Sequence, residues 1–358
     1  MFIEVLLPLR LSRPFTYRIS DDGPCLQRGQ RVIVPFGKRK RYTGIVWKVF
    51  AESPAYETKE IEGVFEDEPL ITEVQLKLWE WLAKHYMSYL GEVMRTAIVS
   101  GLLIEDANTE VNSAESPSEK MFKMAQPKTE VWVELVNQKL AKQCLKEAKA
   151  SKQVQVLQYF FQLSIHLEPV PWIQLQQLSK ATTSVRRALV QKGIIGLVER
   201  PVERLKAITS EVKPFELTLA QQNALQSIEN AFDQQKPVIF KGVTGSGKTE
   251  VYMKLIERAL NSSGQVLFLL PEIALTEALT LRINARFPEK VLAYNSGLNK
   301  AQRVEAWYKV LKQDSSVQIV VGSRSALFLP FTNLKLIVVD EEHDTSFKQS
   351  DPAPRYHA

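Results

Sequence analysis

The sequence predicts a multidomain protein: a small β-rich amino-terminal domain, a winged-helix domain, and an α/β lobe built on a parallel sheet. Three observations predict it. Short alternating runs rich in Val, Ile and aromatics crowd the first hundred residues. A helix, a second helix, a glycine and a strand then follow in order. The final third places continuous apolar strands between helical segments, the pattern of a parallel sheet covered on both faces.

Residues 1–104 give the strands "FIEVLLPL", "FTYRI", "QRVIVPF", "YTGIVWKVF" and "EIEGVF", punctuated by Gly23, Pro24, Gly29, Gly37 and Pro54. Close strand spacing predicts a small barrel or sandwich. A helix follows, with Thr72 as its N-cap and Leu76, Trp79, Leu82, Ala83 and Tyr86 at helical spacing. Residues 105–119, "EDANTEVNSAESPSE", are polar and read as a linker.

Residues 120–206 read as a helical domain with a β end. "VQVLQYFFQL" and "WIQLQQLSKA" make helices. "TTSVRRALVQKGIIGLVERPVERL" gives a capped helix, a stop at Gly193 and a strand pair turned near Pro201. That order is the winged-helix pattern, in which Arg186, Arg187 and Lys192 would face DNA. A rigid spacer is the competing reading of the same pattern.

Residues 207–358 form the α/β lobe. "GVTGSGKT" at Gly242–Thr249 completes G-x-x-x-x-G-K-[ST] between an expected strand, "PVIFKG", and a helix. Gly242, Val243, Thr244, Gly245, Ser246 and Gly247 would turn backbone N–H groups toward phosphate at a helix N-terminus. Lys248 adds a point charge for the β- and γ-phosphates, and Thr249 a hydroxyl for Mg²⁺. About ninety residues on, "LKLIVVDEEH" is an apolar strand ending in acids. Asp340 emerges first and would hold the metal; Glu341 would polarise the attacking water. ATP and Mg²⁺ are therefore the expected cofactors.

Composition narrows the rest. The 358 residues are 45% hydrophobic and 24% charged, suited to two or three cores. No run reaches the roughly 18 apolar residues of a membrane helix, and the first residues do not form a signal peptide. Two cysteines, Cys25 and Cys144, argue against a disulfide framework or a cysteine-based zinc site and for a reducing cytoplasm. The net charge is +6, but residues 116–210 alone hold 15 Lys/Arg against 7 Glu and no Asp. Such a local excess suits a polyanion partner; solvated helix faces explain it equally. The basic run Lys38–Arg41 sits in a turn, where it can track phosphates or simply be a solvated tip.

The "DEEH" box, "LLPEIALT" and "VVGSRSALFLPF" stand in the order of the DNA-contacting motifs of superfamily 2 helicases. Together, "GVTGSGKTEVY", "PEIALT", "SGLN", "GSRSALF", "DEEHDTSFKQ", "PRYHA", "RPFTYRI" and "GQRVIVPFGKRKRYTGIV" closely resemble the primosomal family of replication-restart helicases, along essentially the whole chain. The resemblance implies a RecA-like lobe in residues 207–358. It also implies an ATP-driven 3′→5′ DNA helicase that recognises stalled or abandoned forks and initiates primosome assembly. It assigns a 3′-DNA-end pocket to Phe15, Thr16, Tyr17, Gly37 and Lys59. The family often has Asp where this chain has Thr16, which removes a carboxylate from that pocket. Read from the residues alone, Phe15 and Tyr17 suit base stacking or core packing equally.

The same resemblance puts Gln221 at the adenine edge and makes His343 a link between nucleotide and DNA. It makes Thr276 and Arg324 phosphate contacts, and places Phe347, Lys348 and Tyr356 in an aromatic loop that senses single-stranded DNA. Expected partners are forked DNA with a nascent-strand 3′ end, single-stranded DNA, single-stranded-DNA-binding protein and the loader proteins of the replicative helicase, with no membrane. The family's second lobe, with its arginine finger and zinc-binding cysteines, has no counterpart here, so the chain is expected to be a fragment nearly inactive alone; zinc is expected only in that other half. Another superfamily 2 translocase and a non-enzymatic fork-binding scaffold are the alternatives.

Overall fold

The computed structural model describes residues 1–20, 23–37, 40–103, 105–106, 129–147, 151–164, 168–201, 216–243, 245–271, 277–349 and 354–358. Lys38, Thr244 and Thr276 lie outside the described residues, as does most of the linker segment. The chain forms two compact units: Met1–Gln126 with Arg204–Ala358, and Pro127–Glu203.

The first unit opens with β1 (Phe2–Leu6), β2 (Phe15–Arg18), β3 (Arg31–Phe36), β4 (Lys40–Phe50), β5 (Lys59–Glu60) and β6 (Gly63–Val64). They pair in the order β5-β2-β1-β4-β3-β6. A register shift between Glu4 and Val5 bends β1 against β4. The inward residues Ile3, Val5, Tyr17, Val32, Val34 and Val46 fill this sheet's own core.

Helix α1 (Glu73–His85) follows, then α2 (Leu90–Ala97). Thr72 and Gln75 close a capping box, the Gln75 amide N–H donating to the Thr72 hydroxyl at 3.2 Å. The residues at helical spacing, Leu76, Trp79 and Leu82, are buried. A short β7 (Glu105–Asp106) pairs with β4 inside the segment read as linker.

The second unit holds β8 (Thr129–Leu135), α3 (Gln138–Glu147), α4 (Lys152–Leu163), β9 (Val170–Pro171), α5 (Trp172–Ser179), α6 (Thr183–Gln191) and β10 (Ile195–Pro201). Gly193, at φ +64°, stops α6. β10 runs to Pro201 and pairs antiparallel with β8 along its length; the return strand expected beyond Pro201 lies outside the described residues. The sequence places β8 in a helical region; its long-range partner β10 is what makes it a strand. Val156, Leu157, Phe160, Leu175, Leu189 and Ile195 form this unit's separate core.

The chain returns to the first unit with α7 (Leu219–Asp233), α8 (Lys248–Asn261), β11 (Gln265–Leu269), α9 (Glu277–Arg286), β12 (Val291–Tyr294), α10 (Lys300–Leu311), β13 (Ile319–Gly322) and β14 (Leu334–Val339). The four strands are parallel, in the order β12-β13-β11-β14. Every residue of β11 and β13 is buried, as continuous apolar strands predict. β14 alternates, with Ile337 51% and Val339 37% exposed, so one face of this strand is open.

One expectation fails here. "PVIFKG" joins no sheet; Lys236–Val243 has no strand structure, and Ile239 is 75% exposed. A short apolar run states a preference for extended backbone but not a partner. Among the described residues no strand lies against the outer edge of β14.

The β-rich region and the lobe are not separate bodies. One apolar cluster runs from Leu6, Ile45, Leu70 and Trp79 through Leu267, Trp307 and Phe328 to Phe347 and Tyr356. Polar bonds cross it too. The Gln75 side-chain amide donates to the Phe328 carbonyl at 2.7 Å, and the Trp307 indole to the Leu70 carbonyl at 3.4 Å.

Candidate nucleotide site and DNA-facing residues

Helix α8 begins at the glycine-rich turn. Gly245 and Gly247 both hold φ +80°, a left-handed conformation that a side chain resists. Gly247 is the N-cap residue. The Lys248 ammonium reaches back across the loop and donates to the Gly242 carbonyl at 2.6 Å. Gly242, Val243, Gly245 and Ser246 are exposed, and the Ser246 amide donates to the Val243 carbonyl at 3.1 Å.

Gln221 is tied to this loop. Its side-chain oxygen accepts the Thr218 amide at 2.9 Å, closing the capping box of α7, while its NH₂ group donates to the Gly247 carbonyl at 3.3 Å. A Cβ at position 247 would stand 2.2 Å from the Gln221 side-chain nitrogen. Gly247→Ala is therefore expected to add backbone strain of about 1–2 kcal/mol and push Gln221 off the loop. Thermal unfolding with and without nucleotide checks this: the stabilisation by nucleotide should shrink more than the unliganded midpoint falls.

The acid box meets the same end of the sheet. The Asp340 amide donates to the Leu269 carbonyl at 3.0 Å, so the backbone ladder carries Asp340 one step past β14. Tyr252, one helical turn beyond Lys248, donates its hydroxyl to Asp340 Oδ1 at 3.3 Å. Burial first, then the charge of Asp340, its hydrogen bond and Glu341, hold the Tyr252 phenol far above its ordinary pKa. Tyr252 therefore stays a donor and anchors Asp340 beside the start of α8. The helix N-terminus and the carboxylate thus converge at the carboxyl ends of the strands, where ligands of open α/β sheets bind.

Glu341 adopts φ +50° and is exposed, with His343 Nε2 3.7 Å from its carboxylate; His343 Nδ1 lies 3.4 Å from Glu342.

The residues fit a magnesium nucleotide. Among the described residues no cluster of three or more His, Cys, Asp or Glu forms a metal cage. Mg²⁺ usually takes one or two carboxylates and completes its shell with phosphate oxygens and water, which is what Asp340 and the Thr249 hydroxyl beside an anion-binding loop offer.

The DNA-directed residues fall in different settings. Tyr17 is 3% exposed, donates its hydroxyl to the Pro35 carbonyl at 3.1 Å, and has its pKa pushed up to about 12 by burial. Phe15 is half-buried, edge-on to Phe36 at 5.2 Å. Gly37, at φ +67°, accepts the Lys59 ammonium at 2.6 Å, and Lys59 stands in register with Tyr17. Thr16 points to the other face and bonds the Tyr56 hydroxyl at 2.8 Å. Arg324 donates to the Lys348 carbonyl at 2.9 Å. Lys348 is exposed, but Phe347 and Tyr356 are 1% and 2% exposed, Tyr356 edge-on to Phe328 at 5.4 Å. These two rings are core residues in this conformation and offer no face to a base. In the second unit the Arg186 guanidinium lies 5.3 Å from the Trp172 ring, while Arg187 is exposed.

Sequence reasoning missed Tyr252 and Tyr56. The first had a signal: four residues after Lys248, it shares that helix face. The second had none, because its partner lies forty residues away.

A parallel-sheet lobe that carries a phosphate-loop motif and shares its core with a β-rich module defines the class: an α/β protein of the phosphate-loop kind with a small β domain built onto its lobe. Family comparison agrees. Residues 4–99 match the 3′ DNA-binding domain, and residues 214–356 match the res subunit of type III restriction enzymes. The chain is related to the replication restart proteins PriA, and matches their N-terminal half. It is 28% identical to the Bacillus subtilis protein over all of this chain and 50% of the relative. It is 32% identical to the Synechocystis protein over 96% of the chain and 47% of the relative. It is likewise 32% identical to the Haemophilus influenzae protein over 99% of the chain and 46% of the relative. The chain thus spans about half the length of these relatives. Among the described residues no helix is long and apolar enough to cross a membrane.

Proposed function

We propose that this chain is the DNA-end-binding and nucleotide-binding half of an ATP-dependent 3′→5′ DNA helicase that recognises stalled or abandoned replication forks and initiates primosome assembly. The observation that carries the reading is Tyr252, which bridges the helix of the phosphate loop to Asp340. Bound ATP with Mg²⁺ supplies the phosphoryl group and the charge that polarises it. The loop amides and Lys248 hold the β- and γ-phosphates, Thr249 and Asp340 hold the metal, Gln221 reads the adenine edge, and Glu341 orients the attacking water.

The DNA side of the reading is as follows. Residues 4–99 receive the nascent-strand 3′ end. The second unit is a winged helix whose exposed Arg187, with Arg186, meets duplex phosphates. Lys38, Thr276, Arg324 and Lys348 track the strand, and single-stranded-DNA-binding protein and loader proteins are the partners, in the cytoplasm.

The open phosphate loop supports a second statement about the chain alone: it binds nucleotide but turns it over slowly, because catalysis of phosphoryl transfer needs a water-excluded, fully lined site. Binding of a fluorescent ATP analogue with Mg²⁺ tests both. Lys248→Ala should weaken binding roughly 10- to 150-fold, the size of a hydrogen bond to a charged group. Unchanged affinity would remove the phosphate-loop assignment. Vigorous hydrolysis by this chain with single-stranded DNA would remove the second statement.

A further inference from the structure

Tyr56 is an aromatic residue that is 62% exposed yet held by its hydroxyl. That hydroxyl lies 2.8 Å from Thr16 Oγ1, across forty residues of sequence. Thr16 is opposed across β1 by Glu4, and β5 pairs with the next two residues of its strand, Tyr17 and Arg18. Tyr56 belongs to the connection between β4 and β5, so this bond pins a connecting segment onto the outer face of the sheet.

Two hydroxyls bonded to each other use one hydrogen and leave one, together with spare lone pairs on both oxygens. The pair can donate and accept at once. A carboxylate at position 16, as the resemblance to replication-restart helicases would lead one to expect, can only accept. A sugar hydroxyl is both donor and acceptor, so the pair matches it in either sense. Glu4, the cross-strand neighbour of Thr16, faces Lys48 on its far side.

We propose that Tyr56 is a specificity-determining residue of the DNA 3′-end site, where its hydroxyl and that of Thr16 together hold the terminal 3′-hydroxyl. This rests on reading residues 4–99 as the part that receives a DNA 3′ end. The Tyr56 ring, left in solvent by this arrangement, adds a face on which the terminal base stacks.

The test uses the full chain and fluorescence anisotropy with three labelled single-stranded oligonucleotides: one ending in a 3′-hydroxyl, one in a 2′,3′-dideoxynucleotide, and one circularised. The hydroxyl end should bind roughly three- to tenfold more tightly than the dideoxy end, the worth of one or two net hydrogen bonds. Tyr56→Phe and Thr16→Val should bring that ratio to about one; Thr16→Ser should keep the ratio, since it keeps the hydroxyl. Exposure of Tyr56 makes the Phe variant safe for folding, which an unchanged melting midpoint verifies. A ratio that survives Tyr56→Phe, or a wild-type ratio of one with linear DNA still preferred over the circle, overturns the hydroxyl pair but leaves the end-binding reading intact. Equal binding of the circle and the hydroxyl-ended linear DNA overturns that reading and the proposal with it.

Discussion

Glu66→Ala lowers the stability of the larger unit by about 3–5 kcal/mol, because it strands a buried charge. The Arg31 side chain is 1% exposed and Glu66 is its counter-ion. The guanidinium nitrogen Nε lies 3.0 and 3.1 Å from the two Glu66 oxygens, and Nη2 also contacts the carboxylate. Nη1 donates to the Leu102 carbonyl at 2.8 Å, and the Phe65 ring lies 4.5 Å from the guanidinium carbon. From the lobe, the Tyr308 hydroxyl donates to Glu66 at 2.9 Å, its pKa held well above the ordinary phenol value, chiefly by burial. Arg31 stays charged at any accessible pH, so loss of the carboxylate leaves it uncompensated. The double variant Arg31→Met with Glu66→Leu should be far less damaged, because no charge remains to be solvated. Urea unfolding measures both. A shift below about 1 kcal/mol for Glu66→Ala would mean the pair behaves as an ordinary surface contact.

Trp307→Ala should cost a similar amount, about 3–5 kcal/mol, for a different reason. Trp307 is completely buried in the cluster that joins the β-rich region to the lobe, and its indole donates to the Leu70 carbonyl. Its removal opens a cavity and leaves that carbonyl unpaired. Position 101 shows how tightly this joint is packed: a Cβ there would stand 2.6 Å from Val304 on the same helix. Trp307→Phe keeps most of the volume and should cost clearly less in the same urea experiment. Equal losses for Ala and Phe would indicate that the hydrogen bond, rather than the packing, carries the effect. Trp307 and Glu66 serve one joint, so their combined effect should depart from the sum of the single ones.

What could be read from sequence was local. The glycine-rich turn before α8 and the cap at Thr72 are written in adjacent residues, and the structure forms a helix at each. The continuous apolar runs of β11 and β13 gave the parallel sheet. What could not be read depended on distant partners. Arg31, Glu66 and Tyr308 meet across more than two hundred residues. Phe347 and Tyr356 sit in a polar stretch that suggests a surface loop, yet they complete the core. "PVIFKG" has strand composition and no strand neighbour. In the candidate site, residue identities announced Lys248 and Asp340, but that Tyr252, on the helix Lys248 opens, bonds Asp340 is a fact of packing.

The larger unit is interrupted: the chain leaves it after Gln126 and rejoins it at Arg204. As the polypeptide emerges from the ribosome, Leu6 and Ile45 are made first, while Phe347 and Tyr356, which share their cluster, arrive some three hundred residues later. At a synthesis rate of about 5–20 residues per second, that is a wait of roughly 15 to 60 seconds. During it the second unit, with its own core, can fold to completion while the first displays greasy surface to chaperones.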